Sequence, residues 1–329
     1  MMPERIRIGI LSTAAIARRS VIPAILSLPE KFELTGIASR KLETAKSLAE
    51  DFHCRAFGSY VEILDRAYID AVYIPLPNSL HYEWVKTALE KGIHVLVEKS
   101  LACTLSEVTE LNKLAKDNQL SLIENFQFRF HSQFRFIKEQ LDSGKIGELR
   151  YIRSSFEFPP FPDTTNIRYS KELGGGALLD AGAYPIKISQ LLLGSDISIR
   201  ASAIRYNTVH EVDMGGGALL KQNRGHVFSE ISFGFDNYYQ CSLEIFGSSG
   251  KISTNRIYTA PPGFNPVVTI ETQGKPVESV ELEQDNHFIN MLDYFYRTMH
   301  EPGLREKEYI ENIHQSRLIK EFKEYADEE

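Results

Sequence analysis

Two short segments carry residue types able to move a proton. Residues 174–185 read Gly-Gly-Gly-Ala-Leu-Leu-Asp-Ala-Gly-Ala-Tyr-Pro. The three leading glycines allow backbone amides to approach a ligand closely, and the helix expected after them places Asp180 and Tyr184 four residues apart on one face. That is an acid/base pair beside whatever the glycines admit, although a glycine-capped helix with a core tyrosine would carry the same letters. The second segment, Glu98-Lys99-Ser100, closes the apolar run 94–97, so an ammonium group stands at what reads as a strand end.

The elements that must position these groups follow from periodicity. From residue 5 to about 122 short apolar runs alternate with amphipathic patterns, the signature of parallel strands joined by crossover helices. Strands are expected at 5–11, 32–39, 71–76, 94–98 and 120–123, and helices at 42–51, 80–91 and 105–116. Right-handed crossovers stack such strands into one sheet whose ligand edge lies at the strand C-termini, and Ser12, Ser39, Pro77 and Lys99 all follow strand ends. After about residue 125 the pattern changes. A helix at 131–141 and a strand at 148–158 lead to the glycine-rich segment and its helix, then to β-like runs at 197–206, 217–221, 227–235, 240–246, 251–254, 267–271 and 279–282. Short polar turns between them predict a mostly antiparallel sheet, and helical patterns at 286–300 and 309–325 finish the chain. The expected architecture is α/β: a dinucleotide-binding domain of the Rossmann type over 1–123 and an α+β domain with an open, mostly antiparallel sheet over 124–329. Without a linker of low complexity the domains are expected to pack closely with the site between them.

Composition sets the outer bounds. A chain of 329 residues exceeds the size of most single cores, and 43% hydrophobic with 25% charged residues is ordinary for a water-soluble globular protein. No apolar run approaches a membrane span, and the opening Met-Met-Pro-Glu-Arg-Ile lacks a signal core, so a cytoplasmic location is expected. A net charge of -7 argues against nucleic acid as a partner. Cys54, Cys103 and Cys241 are scattered, and the nine histidines show no ligand spacing, so neither a disulfide framework nor a metal site is expected.

Between the first strand and its helix lies Gly9-Ile-Leu-Ser-Thr-Ala-Ala-Ile-Ala17, where a glycine-rich phosphate loop would stand. Ser12 and Ala14 replace the usual glycines, yet the small residues Ser12, Thr13, Ala14 and Ala15, with Ile16, leave room for a pyrophosphate at helix N-terminal amides. The second strand ends in Ser39, Arg40 and Lys41, without the carboxylate that would bind a ribose 2′-hydroxyl. Two cations and a hydroxyl suit a 2′-phosphate, so NADP is expected over NAD, with a solvated helix start as the plainer reading.

Taken together, Pro75-Leu-Pro-Asn-Ser-Leu-His81, Glu98-Lys99-Ser100 and residues 174–185 resemble the glucose-fructose oxidoreductase, inositol dehydrogenase and MocA family over nearly the whole chain. Within it the chain looks most like the sugar-nucleotide 3-ketoreductases, through Glu124-Asn-Phe-Gln-Phe128, Phe158-Pro-Pro-Phe-Pro162, Ile167-Arg-Tyr169 and a tyrosine at 184 where many relatives carry histidine. Dihydrodiol dehydrogenase-like proteins share much of this. Ser100 departs from the proline usual after the lysine. The resemblance implies hydride transfer between a nicotinamide and a carbinol or ketone carbon, with Lys99 and Tyr184 at the reacting oxygen. Tyr184, protonated at neutral pH, suits proton donation to a ketone. Lys99 suits stabilisation of the developing negative charge. By the same resemblance Leu76, Asn78, His81 and Lys99 lie along the cofactor, Glu98 fixes the strand end or accepts a ribose hydroxyl, Asp180 bonds the substrate or orients Tyr184 and Lys99, Asn125 contacts the sugar, and Arg168 grips a phosphate of cofactor or substrate. His81 as a plain helix N-terminal residue and Asp180 as a cap or ion-pair partner remain open. The expected function is reduction of a keto sugar, foremost a nucleotide-linked 3-keto-6-deoxyhexose. A dehydrogenase of a free sugar, polyol or trans-dihydrodiol, and a non-catalytic dinucleotide-binding regulator, are the alternatives. A homo-oligomer, dimer or tetramer, formed through the second sheet is implied.

Overall fold

A computed structural model describes residues 5–66 and 68–327; the opening Met-Met-Pro-Glu, read above for its lack of a signal core, lies outside the described residues. The chain forms two units, one holding the chain up to Asn125 together with Phe288–Ile313, the other Phe126–His287 together with the chain from His314. Phe288–Ile313 thus count with the first unit, far in sequence from the 1–123 stretch that a linear reading assigns to it.

The first unit runs β1 (Ile6–Leu11), α1 (Ile22–Leu26), β2 (Phe32–Ala38), α2 (Leu42–Asp51), β3 (Arg55–Phe57), α3 (Tyr60–Arg66), β4 (Ala71–Ile74), α4 (Asn78–Glu90), β5 (His94–Glu98), α5 (Leu105–Asp117) and β6 (Leu122–Asn125). Its six strands are parallel in the order β3-β2-β1-β4-β5-β6. Ile8, Ile10, Val72, Ile74, Val95 and Val97 are all fully buried, as strands covered by helices on both faces must be. The order reverses between β1 and β4, which opens a crevice at the strand C-termini where such sheets take their ligand. The expected strands and helices are present. β3 and α3 have no counterpart in the expected series, the strand being too short to show a period.

The second unit contains α6 (Ser132–Asp142), β7 (Leu149–Glu157), α7 (Ala183–Leu193), β8 (Ile197–Asn207), β9 (Val212–Gln222), β10 (Phe228–Gly234), β11 (Gln240–Gly247), β12 (Gly250–Asn255), β13 (Val267–Thr272) and β14 (Glu278–Glu281). They form one eight-stranded sheet, antiparallel except for the parallel pair β7 and β10. Strand alternation buries Ile152, Phe156, Ile231, Phe233, Leu243 and Ile245 on one face, against which α7 and the turn before it pack. The other face is polar and aromatic: Tyr151 stacks between Phe228 and Phe246 at 5.1 and 4.3 Å, and Arg153 lies between Glu230 and Glu244.

α8 (His287–His300) and the start of α9 (Pro302–Asp327) belong to the first unit, where Phe32 meets Tyr296 edge to face at 5.9 Å and Thr298 donates to Ser121. Among the described residues no helix is long and apolar enough to cross a membrane, and no cluster of His, Cys, Asp and Glu has metal-binding geometry.

Candidate active site

At the C-terminal end of β1 the phosphate-loop position is built without glycine. Ser12 adopts φ 139°, a conformation that ordinarily selects glycine, and its Oγ accepts the Ala14 N–H at 3.0 Å. The hydroxyl thereby braces the turn, and the chain enters its helix through Ala15 and Ile16 with a π turn at Ala17–Val21. At the end of β2, Ser39 Oγ accepts the Lys41 N–H at 3.4 Å, while Arg40 and Lys41 are exposed to solvent. A sheet reversal at β1/β4, a glycine-like turn, helix N-terminal amides and two exposed cations beside the β2 end together fit a phosphorylated dinucleotide.

The turn carrying Lys99 is held from three neighbouring elements. Glu98 Oε1 accepts from the Tyr73 hydroxyl at 2.6 Å and from Asn125 Nδ2 at 2.7 Å. Burial raises the Glu98 carboxyl above its ordinary range, opposed by those two hydrogen bonds and the adjoining Lys99 charge. Glu124 accepts the Leu101 N–H at 2.9 Å, and Asn78 Oδ1 accepts the Ser100 N–H at 3.2 Å. The Lys99–Ser100 peptide is cis.

His81 is fully buried, its Nδ1 2.7 Å from the Ser100 carbonyl and its Nε2 2.8 Å from the Leu76 carbonyl. Burial pushes its pKa down to about 4, so the neutral ring donates to only one of the two. Both ring nitrogens are engaged by backbone, and His81 reaches any ligand through the loops it ties rather than by contact. Asn125 is likewise buried, its amide donating to Glu98. Tyr73, which the sequence does not single out, and Glu124, named there only within the resemblance motif, help to fix the turn.

In the second unit the glycine segment departs from expectation. A Cβ on Gly175 would press on the Arg168 and Ser170 carbonyls, one on Gly176 on the Asp213 carboxylate, and one on Gly182 would stand 2.9 Å from the Phe233 ring. These glycines therefore serve close packing within the unit. Asp213, from β9, accepts the Leu178 N–H at the start of the helical segment, so the anion-binding end is filled by the protein's own carboxylate. Burial raises the Asp213 pKa against that bond and the Lys323 charge.

Residues Leu178–Gly182 form a π turn before α7, so the four-residue step from Asp180 to Tyr184 falls short of a full turn. Asp180 pairs with Arg168, whose guanidinium lies 4.7 Å over the Phe161 ring. Tyr184 is 7% exposed within a shell of four rings: Phe156 at 5.1 Å, Tyr258 at 5.3 Å, Phe126 at 5.6 Å and Phe128 at 5.9 Å. Gln127 Nε2 lies 3.5 Å from its hydroxyl.

A six-stranded parallel sheet whose order reverses between β1 and β4 defines the first unit as a dinucleotide-binding Rossmann fold. Residues 6–126 match the oxidoreductase family with an NAD-binding Rossmann fold, and residues 134–253 match the GFO/IDH/MocA C-terminal domain. The chain belongs to the GFO/IDH/MocA oxidoreductase family. It is 36% identical over 320 residues, 97% of this chain and 96% of the relative, to the dTDP-3,4-didehydro-2,6-dideoxy-alpha-D-glucose 3-reductase of Streptomyces antibioticus. The enzyme of the same name from Streptomyces violaceoruber is 41% identical over 266 residues, 81% of this chain and 77% of that protein. Among solved structures, the 3-ketoreductase KijD10 of Actinomadura kijaniata, in complex with NADP and TDP-benzene, superposes with a TM-score of 0.91 at 36% identity and covers 96% of both chains.

Proposed function

We propose that this protein is an NADPH-dependent reductase of the 3-keto group of a nucleotide-linked 6-deoxyhexose, acting in the cytoplasm. The observation that carries the reading is the end-to-end likeness to a 3-ketoreductase bound to NADP and a TDP derivative, joined to a lysine and a tyrosine at the two positions that chemistry needs.

In this reading the reduced nicotinamide, when bound, supplies the hydride. The amides of Ser12, Thr13, Ala14, Ala15 and Ile16 hold the pyrophosphate, and Ser39, Arg40 and Lys41 receive the 2′-phosphate. Leu76 and Asn78 line the nicotinamide side, and Glu98 fixes the strand end beneath it. Lys99 offers its ammonium to the ketone oxygen as negative charge develops there. Tyr184, its ring held among Phe126, Phe128, Phe156 and Tyr258, donates its phenolic proton to the same oxygen. Asp180, Arg168 and Asn125 are assigned to the substrate side, with Arg168 moving from Asp180 to a substrate phosphate. The polar and aromatic outer sheet face is the surface assigned to self-association.

The test is NADPH consumption with a nucleotide-linked 3-keto-6-deoxy sugar generated in situ. Tyr184→Phe keeps the ring packing and should retain NADPH binding while turnover drops by roughly 10² to 10⁴, as on loss of a general acid. NADPH binding without consumption by the wild type would remove the nucleotide-sugar assignment, and oxidation of free polyols and dihydrodiols would be measured next.

A further inference from the structure

We propose that Gln127 is a positioning residue for Tyr184, its side-chain amide donating to the phenolic oxygen so that the hydroxyl hydrogen is turned toward the substrate. The inference rests on the reading of Tyr184 as proton donor. Its geometric basis lies within the second unit. Phe126 and Phe128 both pack on the Tyr184 ring, and Gln127 between them is carried into a short 3-10 turn, Gln127–Phe130.

The orientation of the amide is fixed chemically. Gln127 Nε2 lies 3.4 Å from the Tyr258 carbonyl and 3.5 Å from the Tyr184 hydroxyl. A carbonyl only accepts, so the NH2 group, not the amide oxygen, must face it, and the same NH2 faces Tyr184. The phenolic oxygen is therefore an acceptor toward Gln127. Both contacts are long, as hydrogen bonds at catalytic groups often are before substrate binds.

A donor on the phenolic oxygen favours the phenolate, the species left after the proton has gone to the sugar. Tyr258, in ring contact, has its hydroxyl on Ser154 and is held by burial well above the ordinary tyrosine range, so it does not titrate alongside Tyr184. Lys187 lies 5.6 Å from the Phe126 ring centroid, and Asp180 on the preceding turn is paired with Arg168.

The experiment uses two substitutions of similar size, Gln127→Met, which removes the donor, and Gln127→Glu, which replaces it with an acceptor and a charge. Ultraviolet titration of the tyrosinate band in the purified protein, each spectrum corrected by the same variant carrying Tyr184→Phe, isolates the Tyr184 phenol. No substrate is needed. The midpoint should rise by about one pH unit in Gln127→Met and further in Gln127→Glu. In turnover, kcat should fall roughly tenfold with KM little changed, and the basic limb of the pH profile should move the same way. A midpoint that stays put, or falls, in variants that still melt cooperatively overturns the role of Gln127. Undiminished turnover in Tyr184→Phe alone would instead overturn the proton-donor reading, whatever the Gln127 variants do.

Discussion

Removal of the two cations at the end of β2 should convert a preference for NADPH into near indifference. Arg40 and Lys41 are both exposed, so their attraction for a 2′-phosphate acts through a water-like dielectric. Two unit charges at contact, about 4 Å, interact by about 1 kcal/mol in water, and a phosphate monoester carries about -1.5 to -2 charges at pH 7. Each cation is thus worth about 1.5–2 kcal/mol before side-chain ordering is subtracted, or roughly tenfold in affinity, and the pair roughly 100-fold. NADH has no phosphate there and should lose little. Fluorescence titration of both dinucleotides against wild type and the double variant Arg40→Ala/Lys41→Ala measures the two dissociation constants directly. The discrimination should also shrink as salt is raised, since the screening length falls from about 10 Å at 0.1 M to about 3 Å at 1 M. Equal loss of NADPH and NADH affinity, or an NADPH constant that barely moves, would refute the assignment of these residues to the 2′-phosphate.

Three further outcomes are expected. Ser12→Ala keeps the φ 139° requirement and loses the Ala14 hydrogen bond, whereas Ser12→Gly loses the bond but relieves the backbone, so in denaturant titrations Gly should exceed Ala in stability by roughly 1–2 kcal/mol; the reverse order would contradict the glycine-like turn. Gly176→Ala combines φ 108° with a Cβ driven into the Asp213 carboxylate and should cost roughly 2–4 kcal/mol of unfolding free energy, a loss under about 0.5 being incompatible with that packing. The raised pKa of Asp213 means that its protonated form is the one the fold favours, a contribution present below the ordinary value of 3.8 and lost as pH rises through the folded value. Asp213→Asn does not titrate, so its stability relative to wild type should increase from pH 4 upward, and a pH-independent difference between the two proteins would be the contrary result.

The parts of the fold legible in sequence are those in which one strand or helix buries a continuous or periodic set of residues. Val95–Val97 and Ile8–Leu11 read as buried parallel strands because both faces are covered, and counting on from the first of these runs puts Lys99 directly after β5. β3 has three residues and no period to read. β9 extends back to Val212, beyond the expected start at 217, because Gly215–Gly217 carry no side-chain alternation. α8 announces a buried face by its pattern, but nothing in the pattern says that Tyr296 will meet Phe32 in the first unit. The same limit applies at the site. Asp213 stands more than thirty positions from Leu178 in sequence, and its seat at the head of the helical segment depends on the register of β9. The pairing of Asp180 with Arg168 depends on a π turn and a folded loop, neither of which spacing alone reports. Ser12 shows the opposite case: its place after β1 pointed to the loop, while its glycine-like backbone was invisible in the letter.

The carboxylate of Asp213 changes how residues 174–185 should be treated as heritable parts. A segment whose Gly176 faces an internal carboxyl group on another strand is not portable by itself; transplanted into a relative lacking that acid, it would arrive with a bare amide at the head of its helix and a hollow beside Gly176. Chimeras exchanging this segment between substrate specificities therefore have to carry the Asp213 strand along, and recombination breakpoints between residues 185 and 213 should yield fewer folded progeny than breakpoints on either side.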